Sequence, residues 1–209
     1  MLTEFTINSF VVLFVVLDPV GVAAIFAALT QGHTDEYRRQ MAMKGTLLSA
    51  VILILFAFLG NFLLTALGIT LDAFRVAGGL FLLLLSIDMV FARQSGLRGT
   101  TKSENEEAEH KNDISVFPLA IPLIAGPGGI TTLMLLMGGT GQQPLWVVSL
   151  MTVLVAVLVL MFVALIMAGG IVRIMGETGS NVVSRLLGIL LAALAIQYMI
   201  DGIKGGFGF

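Results

Sequence analysis

Residues 118–129 read PLAIPLIAGPGG, and residues 17–21 read LDPVG. Both stretches place proline and glycine inside apolar runs of membrane-spanning length. Proline within a helix removes a backbone donor and clashes with the preceding turn, and the freed carbonyl groups need partners in hydrocarbon. Such a break is tolerated where it lines a cavity or is buried in protein. The pattern predicts two helices broken near mid-membrane, at Asp18-Pro19-Val20-Gly21 and at Gly126-Pro127-Gly128-Gly129. The alternative is a simple kink whose unpaired backbone groups hydrogen-bond to neighbouring residues.

The composition is that of a membrane protein. Hydrophobic residues make up 57% of the 209 residues and charged residues 11%, whereas soluble domains carry about 25% charged residues. Six apolar runs are long enough to span a bilayer. They lie at about 5–29, 43–67, 74–91, 114–137, 145–172 and 182–203. We predict an all-α membrane protein of six transmembrane helices, with no room for a soluble catalytic domain.

Lysine and arginine residues predict the orientation, because cytoplasmic loops are enriched in them. The odd-numbered loops and adjoining helix ends hold nine of these residues, and the opposite side holds two. The nine are Arg38, Arg39, Lys44, Arg93, Arg98, Lys102, Lys111, Arg173 and Arg185, and the two are Arg75 and Lys204. This predicts a multi-pass inner-membrane protein with both termini outside. The first run lacks a positive leader region, which indicates a retained helix and not a signal peptide.

Two halves, residues 1–92 and 114–209, flank a hydrophilic loop at residues 93–113 that we expect to be cytoplasmic. Phe74-Arg75-Val76-Ala77-Gly78 opens the third span and resembles Ser184-Arg185-Leu186-Leu187-Gly188, which opens the sixth. The offset is 110 residues here and 108 between the two breaks. A unit of three spans has its second copy inverted in the bilayer, as in many secondary transporters. Chance similarity between apolar segments is the alternative.

Each break exposes backbone amides at the start of a half-helix, and such amides bind anionic groups. The predicted substrate-binding residues are Asp18, Pro19, Gly21, Gly126, Pro127, Gly128, Gly129, Thr131 and Thr132. A charge within the bilayer costs at least about 2.5 kcal/mol and so marks function by default. We expect Asp18 to hold a cation, a proton or a substrate amine.

A second set of residues is a candidate for coupling or gating. It consists of Asp88, Ser86, Gln197, Arg75 and Arg185. For Asp88, pairing with Arg93 or snorkelling to the interface is an equal alternative. Ser86 and Gln197 are equally typical of hydrogen bonds between membrane helices.

The chain has no cysteine, and both of its histidines, His33 and His110, lie in polar stretches. It therefore lacks the His, Cys and paired-acid sets that hydrolysis or metal chemistry uses. We predict neither an enzyme nor a metal or cofactor site. The net charge of −2 argues against a nucleic-acid partner, and a homo-oligomer in the lipid bilayer is compatible with the sequence.

These motifs resemble the MarC family of bacterial and archaeal membrane proteins. The resemblance rests on residues 17–21, on residues 118–128 and on Arg185-Leu186-Leu187-Gly188 running to Asp201-Gly202-Ile203. It covers nearly the whole chain and implies a transporter of small neutral amino acids. The family usually has Asn and, two residues later, Pro after its first Asp-Pro-x-Gly. This chain has Val22 and Ala24 there, which puts the substrate specificity in doubt.

The resemblance thus implies a secondary transporter of small neutral amino acids, glycine and alanine, for which protons and sodium are the candidate coupling ions. Two alternatives stay open. One is an exporter of other small solutes or drugs, and the other is a membrane stress-response protein that transports nothing.

Overall fold

The computed structural model describes residues 1–91 and 113–208, and within them all regular structure is helical. The helices are α1 (Leu2–Leu17), α2 (Pro19–Leu29), α3 (Asp35–Ala66), α4 (Leu71–Phe91), α5 (Pro127–Gly139), α6 (Pro144–Ile166) and α7 (Ala168–Phe207). Before α5 lies Ser115–Ile124, a coiled stretch with two prolines, called the proline segment below. The predicted loop at residues 93–113, with Arg93, Arg98, Lys102 and Lys111, lies outside the described residues except for Asp113.

Five helical stretches in the described part are long and apolar enough to cross a membrane. A sixth span results if the proline segment and α5, which meet at 54°, are counted as one. The helices of the described residues confirm the predicted all-helical class, and their number fits a multi-pass membrane protein.

The second helix extends beyond the apolar run that predicts its span. α3 begins at Asp35, eight residues before the run at about 43–67. Thr34 caps it by accepting a hydrogen bond from the Tyr37 N–H, and acidic residues in a first turn complement the helix dipole. α7 departs from helical geometry at Gly176 (φ 65°), and the candidate span that follows, Thr178–Phe207, contains the predicted sixth run at about 182–203. Hydropathy marks the hydrocarbon-embedded part of a helix, whereas a helix can continue beyond the bilayer.

Glycines bring α4 and α7 into close contact along an extensive interface. A Cβ atom added to Gly79 would lie 2.6 Å from Met199 Cγ, and one added to Gly188 would lie 2.8 Å from Met89 Cβ and 3.1 Å from Val90 Cγ2. The contacts of Gly79 with Met199 and of Gly188 with Val90 correspond at one offset, since 188 − 79 and 199 − 90 are both 109.

The long helices α3 and α6 pack against the interrupted elements. α3 contacts the proline segment and α5, while α6 contacts α1 and α2. Thus α3 of the first half covers the proline segment and α5 of the second half, and α6 of the second half covers α1 and α2 of the first. The hydrophobic core lies between these elements and includes Leu17, Leu53, Leu133 and Leu154.

Candidate substrate site

Asp18 forms the junction between α1 and α2. Its backbone is left-handed (φ 42°, ψ 71°), and its N–H still donates to the Phe14 carbonyl at 3.0 Å. Proline at position 19 is suited to the first position of α2, where a helix leaves its N–H groups unpaired. The Asp18 Oδ1 atom accepts a hydrogen bond from the Gly21 N–H at 3.0 Å, which makes Asp18 the N-cap of α2.

The Asp18 carboxyl group is fully buried. Its Oδ2 atom accepts a hydrogen bond from Ser184 Oγ on α7 at 3.3 Å. Gly21 is required beside it, because an added Cβ would overlap Oδ2 and lie 2.9 Å from Ser184 Oγ. Sequence reasoning did not assign Ser184 to the site. Its only sequence signal is its place in the repeat motif before Arg185.

The second junction has a different local structure. The proline segment has extended backbone at Phe117 and Ile121, each followed by a cis proline. Its hydrogen bonds span five residues, as in the Ala125 N–H donating to the Ala120 carbonyl at 2.8 Å. Gly126 is extended (φ −79°, ψ 173°) and precedes α5, whose first residue is Pro127. The start of α5 has no side-chain cap.

The structure brings the two junctions together. A Cβ added to Gly129 would lie 3.1 Å from Leu17 Cδ2 and 3.8 Å from Leu53 Cδ2, and one added to Gly128 would lie 3.8 Å from Val16 Cγ1. Leu17 and Leu53 are 2% and 1% exposed. The two junctions therefore touch, and apolar side chains fill the space between them.

Of the other predicted binding residues, Pro127 is exposed, whereas Pro19, Gly126, Thr131 and Thr132 are buried. Thr131 directs its methyl group against Gly78 of α4. Thr132 is fully buried, and its hydroxyl has no hydrogen-bond partner among the described residues. A buried hydroxyl without a partner is costly, which makes Thr132 the stronger ligand candidate of the two.

The predicted coupling residues are spread along α4 and α7. Ser86 and Asp88 are buried, the Ser86 carbonyl lies beside Gly188, and the Ser86 hydroxyl donates to the Leu83 carbonyl at 2.7 Å. Arg75 lies eleven residues before Ser86, which is about 16 Å along α4. Its guanidinium group pairs with the Asp72 carboxylate at 2.8 Å. Gln197 and Arg185 are exposed, and Gln197 donates to Asp201 at 2.7 Å.

Two cavities lie at opposite ends of α3 and α6. The first, of about 540 Å³, is lined by Ala57, Phe58, Asn61, Leu64, Leu71, Met134, Met137, Gly138, Gly141, Gln142 and Val147. The second, of about 530 Å³, is lined by Ala27, Thr30, Asp35, Arg38, Arg39, Leu165, Ile166, Ala168, Gly169 and Gly170. Along α3 the two linings are separated by eighteen residues, from Arg39 to Ala57, or about 27 Å. The junction residues Asp18 and Gly126 line neither cavity.

The linings of the two cavities correspond at offsets of 108 and 109 positions. Three pairs differ by 109 positions, namely Ala57 and Ile166, Asn61 and Gly170, and Arg38 and Val147, and five pairs differ by 108. These offsets lie within one position of the offset that relates the glycine contacts of α4 and α7. Within the described residues, no group of three His, Cys, Asp or Glu side chains is placed to hold a metal ion.

The family model described as "MarC family integral membrane protein" matches residues 3–207. The chain belongs to this family. It is 36% identical to the UPF0056 membrane protein YvbG of Bacillus subtilis, over 99% of this chain and 98% of the relative. It is 35% identical to the UPF0056 membrane protein YhcE of Escherichia coli, over 95% of this chain and 91% of the relative. No solved structure matches the chain.

The family resemblance inferred from residues 17–21, residues 118–128 and the stretch from Arg185 to Ile203 is thereby confirmed, as is the prediction of an integral multi-pass membrane protein. The departures from the usual MarC pattern fall on α2, next to the Asp18 junction. Val22 is fully buried, and its N–H donates to the Asp18 carbonyl oxygen at 3.0 Å. Ala24 is half-buried. An apolar residue therefore stands one turn from the buried carboxyl group.

Proposed function

We propose that this MarC chain is a secondary transporter of small neutral amino acids, with glycine and alanine as substrates. The observation that carries the proposal is the pair of matched cavities at opposite ends of α3 and α6. Between their levels lies a closely packed centre in which the two junctions meet. A transporter needs such a centre to open toward one cavity at a time.

The inverted repeat is part of the proposal, and offsets of 108 and 109 residues support it. An offset of 109 relates glycine contacts of α4 with α7, and both offsets relate residues that line the two cavities. The exchanged packing of α3 and α6 against the opposite half fits the same symmetry. Inverted repeats support alternating access because each half can exchange its conformation with the other.

The chemistry of the centre suits a small zwitterion. The buried carboxylate of Asp18 attracts an ammonium group, a sodium ion or a proton. The first amides of α5, at Gly128 and Gly129, and the Thr132 hydroxyl suit a carboxylate. A Cβ atom on Gly129 would lie only 3.1 Å from Leu17 Cδ2. A modest separation of the two junctions would therefore make room only for a substrate with a small side chain.

Uptake into proteoliposomes tests the proposal directly. The purified chain should accumulate labelled alanine and glycine above the level of protein-free vesicles, under an inward proton or sodium gradient. Unlabelled glycine should compete, and leucine should not. Failure to take up either amino acid under both gradients would overturn the substrate assignment. A wider solute screen by thermal unfolding then separates the two alternatives. An exporter of other compounds should be stabilised by its substrate, whereas a stress-response protein that transports nothing should be stabilised by no solute.

The proposed orientation can be tested in this cysteine-free chain. Gln31 and Gln143 are exposed in the turns that follow α2 and α5. If both termini lie outside and the loop at residues 93–113 is cytoplasmic, a membrane-impermeant maleimide should label Gln143→Cys in intact cells. Gln31→Cys should react only after the membrane is permeabilised. The reverse pattern would contradict the orientation.

A further inference from the structure

A lateral groove separates α3 from α6 on the surface of the helix bundle. Its volume is about 420 Å³. The lining consists of Arg39, Met43, Thr46, Leu47 and Ala50 from α3 and of Val155, Leu158, Val159 and Phe162 from α6. Leu47, Val155 and Val159 are 66%, 54% and 54% exposed. In a bilayer this apolar groove faces acyl chains.

Arg39 places a positive charge at one end of the groove. Its side chain is exposed, and no ion pair to it occurs among the described residues. The adjacent Arg38 differs, because it donates to the Thr30 carbonyl at 3.2 Å and lies 3.6 Å from an Asp35 carboxylate oxygen. Arg39 is thus the cation that can receive an anionic group at this position.

The length of the groove matches one leaflet. From Arg39 to Ala50 the α3 helix rises by about 16 Å, and half of a hydrocarbon core is about 15 Å. The groove therefore combines a cation at one end with an apolar channel as deep as a single acyl chain extends. This polarity is complementary to a phospholipid with a negatively charged headgroup.

We propose that the groove between α3 and α6 binds an anionic phospholipid. The Arg39 guanidinium holds the phosphate through paired N–H donors, and one acyl chain lies between Leu47 and Val159. The site is independent of the proposed transport function. Because Arg39 also lines the second cavity, the bound headgroup would lie beside the mouth of that cavity.

Native mass spectrometry of the detergent-purified full chain tests the site. Phosphatidylglycerol and phosphatidylcholine with matched acyl chains are titrated separately. We expect one phosphatidylglycerol to bind in preference to phosphatidylcholine, and Arg39→Gln to weaken that binding about fivefold, the effect of one interfacial cation. Arg173→Gln removes another exposed cation and should leave binding unchanged. Equal losses in both variants would show general surface charge and overturn the site.

A second pair of variants tests the apolar part. Ala50→Phe and Val159→Phe fill the groove from opposite walls while Arg39 is retained. Each should lower retention of both phospholipids several-fold, and far-UV circular dichroism shows whether the variant has folded. Normal phosphatidylglycerol binding by a folded groove variant would overturn the acyl-chain assignment. If one variant does not fold, the other decides.

Discussion

The junction at Asp18 and the junction at Gly126 share a proline at the first helical position but differ in the residue before it. Asp18 supplies a carboxylate that caps α2, and α1 with α2 remains a single candidate span, Leu2–Leu29. Gly126 supplies no side chain, and the proline segment meets α5 at 54°. One junction is therefore acidic and capped, while the other offers uncapped amides. The same proline at the first helical position can thus accompany either a carboxylate or uncapped amides.

Substitution of Gly21 should have the largest effect on the capped junction. A methyl group added at this position would overlap the Asp18 carboxylate and displace it from Ser184. We expect Gly21→Ala to lower the free energy of unfolding by about 2–3 kcal/mol through overpacking and loss of the cap. Thermal unfolding in detergent measures this, with Gly139→Ala as the control, since its added Cβ would meet nothing within 4 Å. Equal unfolding temperatures for the two variants would contradict the packing at Asp18.

Two substitutions of Asp18 separate its charge from its role as a cap. Asn and Asp are about equally good N-caps, whereas Ala costs about 1 kcal/mol. Asp18→Asn should therefore be more stable than Asp18→Ala by about that amount. Both should reduce amino acid uptake at least tenfold, because the buried carboxylate is lost. Uptake and pH dependence like the wild type in Asp18→Asn would remove the carboxylate from the transport mechanism.

Gly129→Ala should be milder than Gly21→Ala, although it alters the equivalent contact at the uncapped junction. Its Cβ would approach Leu17 Cδ2 to 3.1 Å, and that flexible methyl group can shift. We expect a loss of at most about 1 kcal/mol, the low end of the overpacking range. A substrate site at this contact predicts a larger effect on uptake than on the unfolding temperature. If stability falls as far as in Gly21→Ala, the two junctions are equally rigid and the comparison fails.

The smallest effect is expected at Asp113, which precedes the proline segment. Hydrogen bonds from the Ser115 side chain and N–H, with help from Lys44, lower the pKa of Asp113 below its usual 3.8. The stabilisation is therefore present above the unfolded-state pKa and is lost as pH falls through the lower folded-state pKa. The side chain is 47% exposed, so solvent screening limits the effect to a few tenths of a kcal/mol. Asp113→Asn should flatten the stability profile between pH 5 and pH 3, and a profile identical to that of the wild type would contradict the pairing.

Local signals made the spans and both junctions predictable. Hydropathy located the membrane helices, and proline with glycine located Asp18 and Gly126, because these effects act within a few residues. The partner of Asp18 was not predictable in this way. Ser184 lies 166 residues along the chain, and only the packing of α7 against α2 brings it near. The cavities likewise depend on how α3 and α6 cross the other helices, which no single stretch of sequence specifies.

The contact between the two junctions is apolar, whereas the sequence predicted polar groups there. The motifs at Asp18 and Gly126 predicted neighbouring polar groups, and the structure does bring the junctions into contact. Leu17 and Leu53 occupy that contact because apolar side chains fill closely packed interiors at the expense of open space. Both leucines lie in apolar runs, where hydropathy does not distinguish a core-facing leucine from a lipid-facing one.

Alternating access between the two cavities is the central claim, and cysteine accessibility during alanine binding tests it most directly. Asn61→Cys reports on the first cavity and Gly170→Cys on the second, in a chain without other cysteines. Saturating alanine should raise the maleimide labelling rate at one position and lower it at the other, and leucine should change neither. Labelling rates that stay constant at both positions, or that change in the same direction, would contradict the account.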